Sequence, residues 1–498
     1  MVAAAVAQAA GDPIRVRVGS KKFTESVILG EMIGHLAASA GASVIHRREL
    51  GGTRVLWNAL VGGDLDAYPE YTGTITEEIF AARGLHDLKS MRAELAANGV
   101  RMSDPLGFNN TYALGVKKGV ASRFDLHTIT DLRREPDLRF GFTAEFIDRA
   151  DGWPSLRDRY RLPQTGVRAL DHDLAYRGLD NGSLDVIDLY ATDAEIRFYD
   201  LLVLDDDLHH FVTYDAVILY RVDLATRAPE VVDALMRVQG RISAEDMIRM
   251  NARAKLDKVA ESEVAADFVN RTLHAHARSN AETVARRIWR TTQDHLLLVV
   301  VSMVAAIFVA VPLGVLAAKK EKLGQSILAV VGVIQTIPSL ALLVLLMEIM
   351  TPLRRFGIEA LGAAPAIVAL FLYSLLPIVR NTYTGLHDIP IAIQESATAL
   401  GLAPAAKLWL IELPMASRSI LAGIKTSAVI NVGFATLGAL IGAGGYGEPI
   451  LSGIRLADSG LILQGALPAA ALSLLVQGLF ELAERFLVPR GLRLKPEG

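Results

Sequence analysis

Five long stretches without a single charged residue lie in the second half of this chain of 498 residues. They cover residues 296–318, 323–347, 360–379, 426–447 and 459–480. A helix needs about 20 apolar residues to cross a bilayer core of roughly 30 Å, and every stretch reaches that length. The charged residues, 21% of the chain, all lie elsewhere. This pattern predicts a soluble half followed by a membrane half of five helices, which excludes a purely soluble enzyme.

Charge and cysteine content exclude further classes of protein. The net charge is -3 and no Lys/Arg-rich run is present, so nucleic acid is not expected as a partner. The absence of cysteine excludes disulfides and thiolate metal sites. His209 and His210 beside the acidic residues 205–207 are compatible with a metal site, but a solvated acidic loop is favoured and no metal is expected.

Motifs for catalysis are also missing from the sequence. No G-x-x-x-x-G-K-[ST] sequence occurs, so the chain has no phosphate-binding loop for ATP. No Ser/His/Asp or Cys/His set stands out as a nucleophilic site. We therefore predict no catalytic residue and no cofactor on this chain.

The soluble half alternates short apolar runs with helical stretches. Residues 14–18 alternate with period two, and residues 25–38 have apolar residues at helical spacing. Further apolar runs cover 42–45, 112–116, 138–142, 184–189 and 216–220. The alternation predicts an α/β fold with largely parallel sheet, and the length suits two lobes.

These patterns give the domain boundaries. Residues 1–13 are a residual signal segment or a short disordered tail, since MVAAAVAQAA resembles the end of a signal peptide without its basic residues. The remaining predicted divisions are the soluble domain 14–276, a basic connector helix 277–294, the membrane domain 295–490 and a tail 491–498. Lys and Arg in the short membrane loops number eleven on the side of the C-terminus and three on the other, which predicts that the soluble domain lies outside and the C-terminus in the cytoplasm. Three arginines before the first membrane helix reduce this bias.

Six motifs in order along the soluble half resemble one family. They are SKKFTE at 20–25, LGGT at 50–53, YPEYTGT at 68–74, NTYA at 110–113, EFIDRADG at 145–152 and DVIDLYATD at 185–193. Together they are similar to the extracytoplasmic substrate-binding proteins of osmoprotectant ABC importers, whose ligands are glycine betaine, choline, carnitine and related quaternary amines. The resemblance covers nearly all of residues 14–275. It implies a two-lobed, periplasmic-binding-protein-like α/β domain.

The resemblance also implies the ligand-binding residues. A trimethylammonium group donates no hydrogen bonds and is held by aromatic faces, whereas a carboxylate requires Arg or Lys. The aromatic cage corresponds to Tyr71, Tyr112, Tyr190 and Tyr214, and the carboxylate end to Arg149, Lys21 and Thr74. Lys22 is an alternative to Lys21, and each tyrosine taken alone is compatible with a half-buried strand position. The sequence departs from the family at HFVTY, residues 210–214, which lacks the usual prolines, and at Ser155, where glycine is usual.

A second, independent resemblance lies in the membrane half. ESATALG at 395–401 followed by IELP at 411–414 is similar to the cytoplasmic coupling loop of bacterial ABC importer permeases. The matching positions are Glu395, Ala397, Gly401, Ile411 and Pro414. Two short helices joined near Gly401 are expected there. QTIPSL at 335–340 and GAGGYG at 442–447 are also typical of betaine-group permeases.

Both resemblances imply one fused transport subunit with an all-α permease domain of five transmembrane helices, placed in the bacterial inner (plasma) membrane. A separate cytoplasmic ATPase polypeptide is expected to hold ATP and Mg²⁺, and a homodimer of this chain to form the pathway. Glycine betaine is the first expected ligand, and choline, carnitine and ergothioneine stay open. A receptor that senses a quaternary amine without transporting it is the alternative from another class.

Overall fold

The computed structural model describes residues 13–488 apart from residues 86, 150, 151, 171, 278–281, 357 and 457. The chain divides into two compact units, residues 1–281 and 282–498. The predicted signal segment and the C-terminal tail lie almost entirely outside the described residues.

The first unit contains two five-stranded sheets. The strands are β1 Arg15–Gly19, β2 Ser43–Arg47, β3 Ala67–Tyr71, β4 Val100–Met102, β5 Tyr112–Lys117, β6 Phe140–Thr143, β7 Arg168–Leu170, β8 Val186–Tyr190, β9 Leu201–Val203 and β10 Ala216–Arg221. The first sheet has the order β2-β1-β3-β10-β4 and the second the order β7-β6-β8-β5-β9. Two sheets in one unit agree with the predicted two lobes.

The expectation of a largely parallel sheet is wrong, because both sheets are mixed. In the first sheet β10 is antiparallel to β3 and β4, and in the second β5 is antiparallel to β8 and β9. Both reversed strands are those with which the chain enters a sheet after leaving the other one. In each sheet the strand that follows a crossing is antiparallel to its neighbours, and periodicity within a strand carries no information about this direction.

Thirteen α-helices cover these sheets within the described residues. They are α1 Thr24–Ser39, α2 Thr53–Gly62, α3 Thr72–Thr74, α4 Leu88–Ala97, α5 Lys118–Phe124, α6 Ala144–Asp148, α7 Trp153–Tyr160, α8 His172–Asp180, α9 Glu195–Phe198, α10 Val222–Arg227, α11 Pro229–Met236, α12 Ala244–Lys255 and α13 Glu261–Leu273. Helix α1 is buried on nearly all sides, because it packs against the first sheet on one side and α11–α13 on the other. Its first turn therefore lies deep in the unit.

Two segments carry the chain between the sheets and pair with each other. Asn109 and Asp215 form an antiparallel bridge, and the Asn110 amide donates to the Tyr214 carbonyl at 3.0 Å. The Tyr214 amide in turn donates to Asn109 Oδ1 at 2.8 Å. This pairing fixes the point at which the two sheets meet, which is where ligands bind in many two-lobed folds.

The second unit is helical. Its helices are α14 Val284–Lys319, α15 Glu321–Thr336, α16 Ser339–Met350, α17 Ala363–His387, α18 Ile391–Ala399, α19 Pro404–Lys407, α20 Leu413–Phe434, α21 Gly447–Arg455 and α22 Ser459–Leu487. The predicted connector helix is the first part of α14, which begins after the N-cap Thr283 and continues without a break into the first apolar stretch. Helix α14 packs against α17, and α17 packs against α20.

Among the described residues four helices are long and apolar enough to cross a membrane, and the number is five if a bent pair of helices counts as one span. The four are Val284–Lys319, Ala363–His387, Pro404–Ile441 and Ser459–Phe486. The predicted second span is not straight, because it bends by 102° between Thr336 and Ser339. Pro338 lies in this break, since proline cannot donate the hydrogen bond that would continue the helix.

Candidate functional site

Three of the four predicted cage tyrosines meet where the two sheets join. Tyr112 begins β5, Tyr190 ends β8, and the two are paired directly across the antiparallel ladder. Their ring centroids are 4.9 Å apart and their hydroxyls 3.3 Å apart. The ring of Tyr214 lies 6.0 Å from Tyr112 and nearly perpendicular to it. Strand pairing and the crossing segments thus bring these rings together without any long loop.

Two phenylalanines that sequence reasoning did not single out extend this aromatic cluster. Phe146 lies 5.2 Å and Phe211 6.5 Å from the Tyr112 ring centroid. Both lie inside segments already noted for other residues, residues 145–152 and 210–214. The signal that could have identified them was therefore present, but the aromatic cage was assigned from tyrosines alone.

Tyr71 shares a hydrophobic core with Tyr112 and Tyr214, but its ring contact is with a different residue. It ends β3, and its ring contacts Phe23 at a centroid distance of 6.1 Å. Its hydroxyl donates a 2.6 Å hydrogen bond to Glu25 Oε1. The short helix after β3 nevertheless approaches the cluster, because a Cβ atom on Gly73 would lie 2.7 Å from the Tyr214 ring.

The structure distinguishes the two adjacent lysines. Lys21 is buried and Lys22 is exposed. The Lys21 ammonium donates to Glu70 Oε1 at 2.5 Å and to Thr53 Oγ1 at 3.1 Å, and it lies 5.8 Å from the centre of the Tyr71 ring. Lys21 therefore faces the interior with a carboxylate partner of its own. Thr74 is buried at the end of α3.

The Arg149 guanidinium lies over two of the clustered rings. Its central carbon is 5.5 Å from the Tyr112 ring centroid and 5.7 Å from that of Tyr214. It donates a 2.5 Å hydrogen bond to the Tyr214 hydroxyl and approaches Glu78 at 3.9 Å. The tyrosine cluster therefore already holds a cation by its aromatic faces.

Tyr190 contacts a charged pair formed by His172 and Asp193. The His172 ring contacts Tyr190 with centroids 5.2 Å apart and planes tilted by 39°, and its Nε2 lies 3.0 Å from Asp193 Oδ2. The Tyr176 hydroxyl and the Tyr190 amide donate to the same oxygen at 2.7 and 2.9 Å. Burial lowers the pKa of His172, but the Asp193 carboxylate outweighs it and raises this pKa to about 9. His172 is therefore protonated at neutral pH.

The two sequence departures have structural roles. Asp206 accepts hydrogen bonds from the Tyr160 hydroxyl and from the amides of His210 and Phe211 at 2.5–2.9 Å, and so closes the acidic loop. The Ser155 hydroxyl donates to the Gly152 carbonyl at 3.1 Å in the first turn of α7. Within the described residues no group of acidic and histidine side chains is arranged to hold a metal ion.

In the second unit the predicted coupling loop is formed by α18, α19 and the start of α20. Gly401 has φ +74°, and the amides of Gly401 and Leu402 donate to the carbonyls of Thr398 and Ala397 at 3.0 and 3.2 Å. This is a helix end that glycine favours, because a left-handed φ strains other residues. Ala397 is buried, and Glu395 is exposed. Ile411 lies in a π-helical turn before α20, where Pro414 is the second residue.

The surface of this loop combines a groove with exposed apolar side chains. The groove has a volume of about 330 Å³ and is lined by Ile391, Gln394, Glu395, Thr398, Ala399 and Lys407. Leu400, Trp409 and Leu410 are 81%, 70% and 68% exposed. Glu412 in the same loop is buried and accepts a 2.7 Å hydrogen bond from Lys319 at the end of α14. Apolar residues this exposed at a loop are typical of a protein interface.

Each half of the chain matches a known family of transport proteins. Residues 14–271 match the family described as the substrate binding domain of ABC-type glycine betaine transport system, and residues 310–490 match the binding-protein-dependent transport system inner membrane component. The choline transport system permease protein OpuBB of Bacillus subtilis is 40% identical over 205 residues, 41% of this chain and 90% of that protein. The carnitine transport permease protein OpuCD of Listeria monocytogenes is 38% identical over 220 residues, 44% of this chain and 93% of that protein.

A solved structure, described as a glycine betaine/carnitine/choline ABC transporter, is 28% identical with a TM-score of 0.47 and covers 52% of this chain and 99% of that one. The two units define a transport subunit in which a substrate-binding domain and an ABC importer permease are one polypeptide, a multipass protein of the inner membrane. The chain belongs to the family of substrate-binding domains of ABC-type glycine betaine transport systems.

The charged pair behind Tyr190 makes stability depend on pH. The ordinary pKa of histidine is about 6.5 and that of His172 is about 9, so the stabilisation by this pair is complete below pH 6.5 and is lost as pH rises toward 9. We expect the thermal unfolding midpoint of the wild type to fall between pH 6.5 and 9 by more than that of His172→Gln, measured by fluorescence on the full chain in detergent. His127→Gln, whose side chain is 75% exposed, is the control and should behave as wild type. Equal pH profiles for wild type and His172→Gln would contradict the assignment.

Proposed function

We propose that this subunit imports a small quaternary ammonium compound, with glycine betaine as first candidate and choline, carnitine and ergothioneine as the other members of the class. The observation that supports this ligand is the position of Arg149. Its guanidinium, a delocalised cation, lies within 6 Å of two tyrosine rings of the cluster. A trimethylammonium group requires the same surroundings, because it also carries a diffuse charge that aromatic faces attract by about 0.5–2 kcal/mol per ring.

The same contact gives Arg149 a role when ligand binds. A trimethylammonium group that occupies the tyrosine cluster displaces the guanidinium from the Tyr112 and Tyr214 faces. Arg149 is 21% exposed at its side chain and can turn toward the ligand's other end. A carboxylate there accepts two parallel hydrogen bonds from the guanidinium and restores the charge interaction that it lost. For ligands with an anionic end, the new hydrogen bonds to Arg149 therefore offset the loss of its contacts with the tyrosine rings. Purely cationic ligands gain no such offset.

Calorimetry on the full chain in detergent tests the ligand class and the cage together. Glycine betaine, choline, carnitine and ergothioneine form the panel, and glycine, which lacks the methyl groups, should not bind. Tyr190→Ala should weaken binding of the methylated ligands by about 1–3 kcal/mol through lost cation–π attraction and lost shape. Tyr214→Ala should have an effect of similar size.

Tyr199→Ala is the matched control. Tyr199 is a half-buried tyrosine of the same unit that stacks on Tyr176 and lies outside the cluster. Its replacement should leave the affinities unchanged. Unchanged affinity in both Tyr190→Ala and Tyr214→Ala would overturn the cage, and a wild-type protein that binds no member of the panel would overturn the proposed function.

Arg149→Ala should change selectivity. Glycine betaine should lose about 10–100-fold in affinity because its carboxylate loses a charged partner, whereas choline should lose much less. Arg149→Lys keeps the charge without the planar fork and should fall between wild type and Arg149→Ala. Equal losses for the two ligands would assign Arg149 to the fold of the unit instead.

Energy for transport comes, in this proposal, from a separate cytoplasmic ATPase that holds ATP and Mg²⁺ and binds the loop formed by α18–α20. The groove beside Glu395 and the exposed Leu400, Trp409 and Leu410 support this assignment. Two copies of the chain would supply two such loops to two ATPase subunits, with twofold symmetry. The binding domain then lies outside the membrane and the C-terminus in the cytoplasm. A receptor that does not transport its ligand has no use for this loop.

Gly401→Leu should separate binding from transport. Apart from its chain neighbours, no heavy atom of the described residues lies within 4 Å of a Cβ at this position, so the expected effect comes from the strained φ of +74° and from the contact with the ATPase. Ligand affinity should be unchanged, whereas ligand-stimulated ATP hydrolysis after reconstitution with the ATPase should be lost. Gly401→Asn, which tolerates this φ, should retain most of the stimulation. Wild-type stimulation in Gly401→Leu would remove the loop from the mechanism, and loss of ligand affinity would indicate general damage.

A further inference from the structure

Glu25 is a buried carboxylate that accepts four hydrogen bonds. It lies in the first turn of α1 and is 3% exposed. Oε1 accepts from the Tyr71 hydroxyl at 2.6 Å and from Asn110 Nδ2 at 2.9 Å. Oε2 accepts from the Thr192 hydroxyl at 2.5 Å and from Asn251 Nδ2 at 3.0 Å. Two donors on each oxygen use the full accepting capacity of an ionised carboxylate, which donates nothing.

The four donors come from both halves of the binding unit. Tyr71 ends a strand of the first sheet, and Asn251 lies in α12, which packs on α1. Asn110 lies on a crossing segment, and Thr192 follows β8 of the second sheet. Asn251 also donates to the Thr192 carbonyl at 3.0 Å. Glu25 therefore joins the two sheets at a point inaccessible to water.

The same bonds determine where the predicted cage residues lie. Tyr71 is bound to Glu25 directly, Asn110 precedes Tyr112 by two residues, and Thr192 follows Tyr190 by two residues. A shift of the Glu25 carboxylate would move the segments that carry the rings of Tyr71, Tyr112 and Tyr190. This dependence explains why a polar group with an expensive burial is placed here.

The charge of Glu25 has no cationic partner among the described residues. Lys21 is bound to Glu70, and Arg149 approaches Glu78. Burial is the largest effect and raises the pKa of Glu25 above its ordinary value, although the hydrogen bonds from Thr192, Tyr71 and Asn251 act in the opposite direction. The geometry nevertheless favours the ionised form, because two donors point at each oxygen. The helix N-terminus favours the negative form. A negative charge without a counter-ion thus lies one hydrogen bond away from a ring assigned to a cation cage.

We propose that Glu25 is the positioning residue of the tyrosine cage and supplies the counter-charge for the ammonium group of the ligand, an inference that rests on the proposed function. The hydrogen bond from the Tyr71 hydroxyl to the carboxylate makes the Tyr71 ring more negative at its face, which strengthens its attraction for a cation. A ligand that carries a net positive charge gains affinity from its attraction to this carboxylate. A zwitterion gains less affinity, because the Glu25 carboxylate also repels the carboxylate of the ligand.

Three ligands of similar shape but different charge distinguish an electrostatic role of Glu25 from a purely structural one. They are choline, glycine betaine and 3,3-dimethylbutan-1-ol, the uncharged carbon isostere of choline, all measured by calorimetry on the full chain in detergent, with displacement for weak binders. Glu25→Gln should weaken choline by about tenfold or more, glycine betaine less, and the isostere least, because the negative charge is lost. The amide NH2 also replaces an oxygen that accepts two hydrogen bonds, and this structural effect is shared by all three ligands. The ratio of choline to betaine affinity should fall, the direction opposite to that expected for Arg149→Ala.

Glu31→Gln is the matched control. Glu31 lies on the same helix, is 8% exposed, and is bound to Arg48 and His46 instead. Glu31→Gln should leave the relative affinities for choline, glycine betaine and the isostere unchanged. Parallel losses of all three ligands in Glu25→Gln would show a purely structural carboxylate and overturn the counter-charge. If wild type binds none of the three ligands, the proposed function fails, and this outcome differs from unchanged ratios in a protein that binds.

Tyr71→Phe provides the test if Glu25→Gln does not fold. It retains the ring and removes only the hydroxyl that donates to Glu25. Choline should bind about threefold more weakly while the isostere is unaffected, because the ring face loses its charge-assisted enrichment. Equal effects on choline and the isostere would overturn the proposal.

Discussion

The pairing of the two segments that carry the chain between its sheets is the constraint on which the binding site depends. The bridge between Asn109 and Asp215 brings Tyr112, the first residue of β5, close to Tyr214, which lies on the crossing segment before β10. The ladder between β5 and β8 then places Tyr190 opposite Tyr112. An aromatic cluster built this way needs no flexible loop to form it, so its geometry is as rigid as the backbone hydrogen bonds beneath it.

Much of the fold could be predicted from the sequence because local patterns determine it. The alternation in residues 14–18 and the helical spacing in 25–38 correspond to β1 and α1 within one or two residues. Strand direction could not be predicted, since it depends on which sheet the chain has just left. The 102° bend in the second apolar stretch was also hidden, because Pro338 indicates a break but not its angle.

The family motifs predicted that Tyr112, Tyr190 and Tyr214 lie together, and their rings do form one cluster. That this cluster binds a ligand stays a prediction. The hydrogen-bond and ion-pair partners of the buried charged residues were not predictable. That Lys21 binds Glu70, and that Glu25 gathers donors 46 to 226 residues away in sequence, follow only from the folded arrangement. Buried polar groups depend on satisfied partners, and these partners are distant in the chain.

The union of a binding unit and a membrane unit in one polypeptide changes the kinetics of the system. A free binding protein finds its permease by diffusion, so that its encounter rate depends on how much of it is present. When the two are covalently joined, docking becomes a first-order step, and an effective concentration replaces the amount of free binding protein. Weak docking is then sufficient, and a surface selected for weak docking also releases quickly. Capacity for scavenging ligand, by contrast, is tied to the number of membrane subunits and cannot be raised by making more binding protein alone.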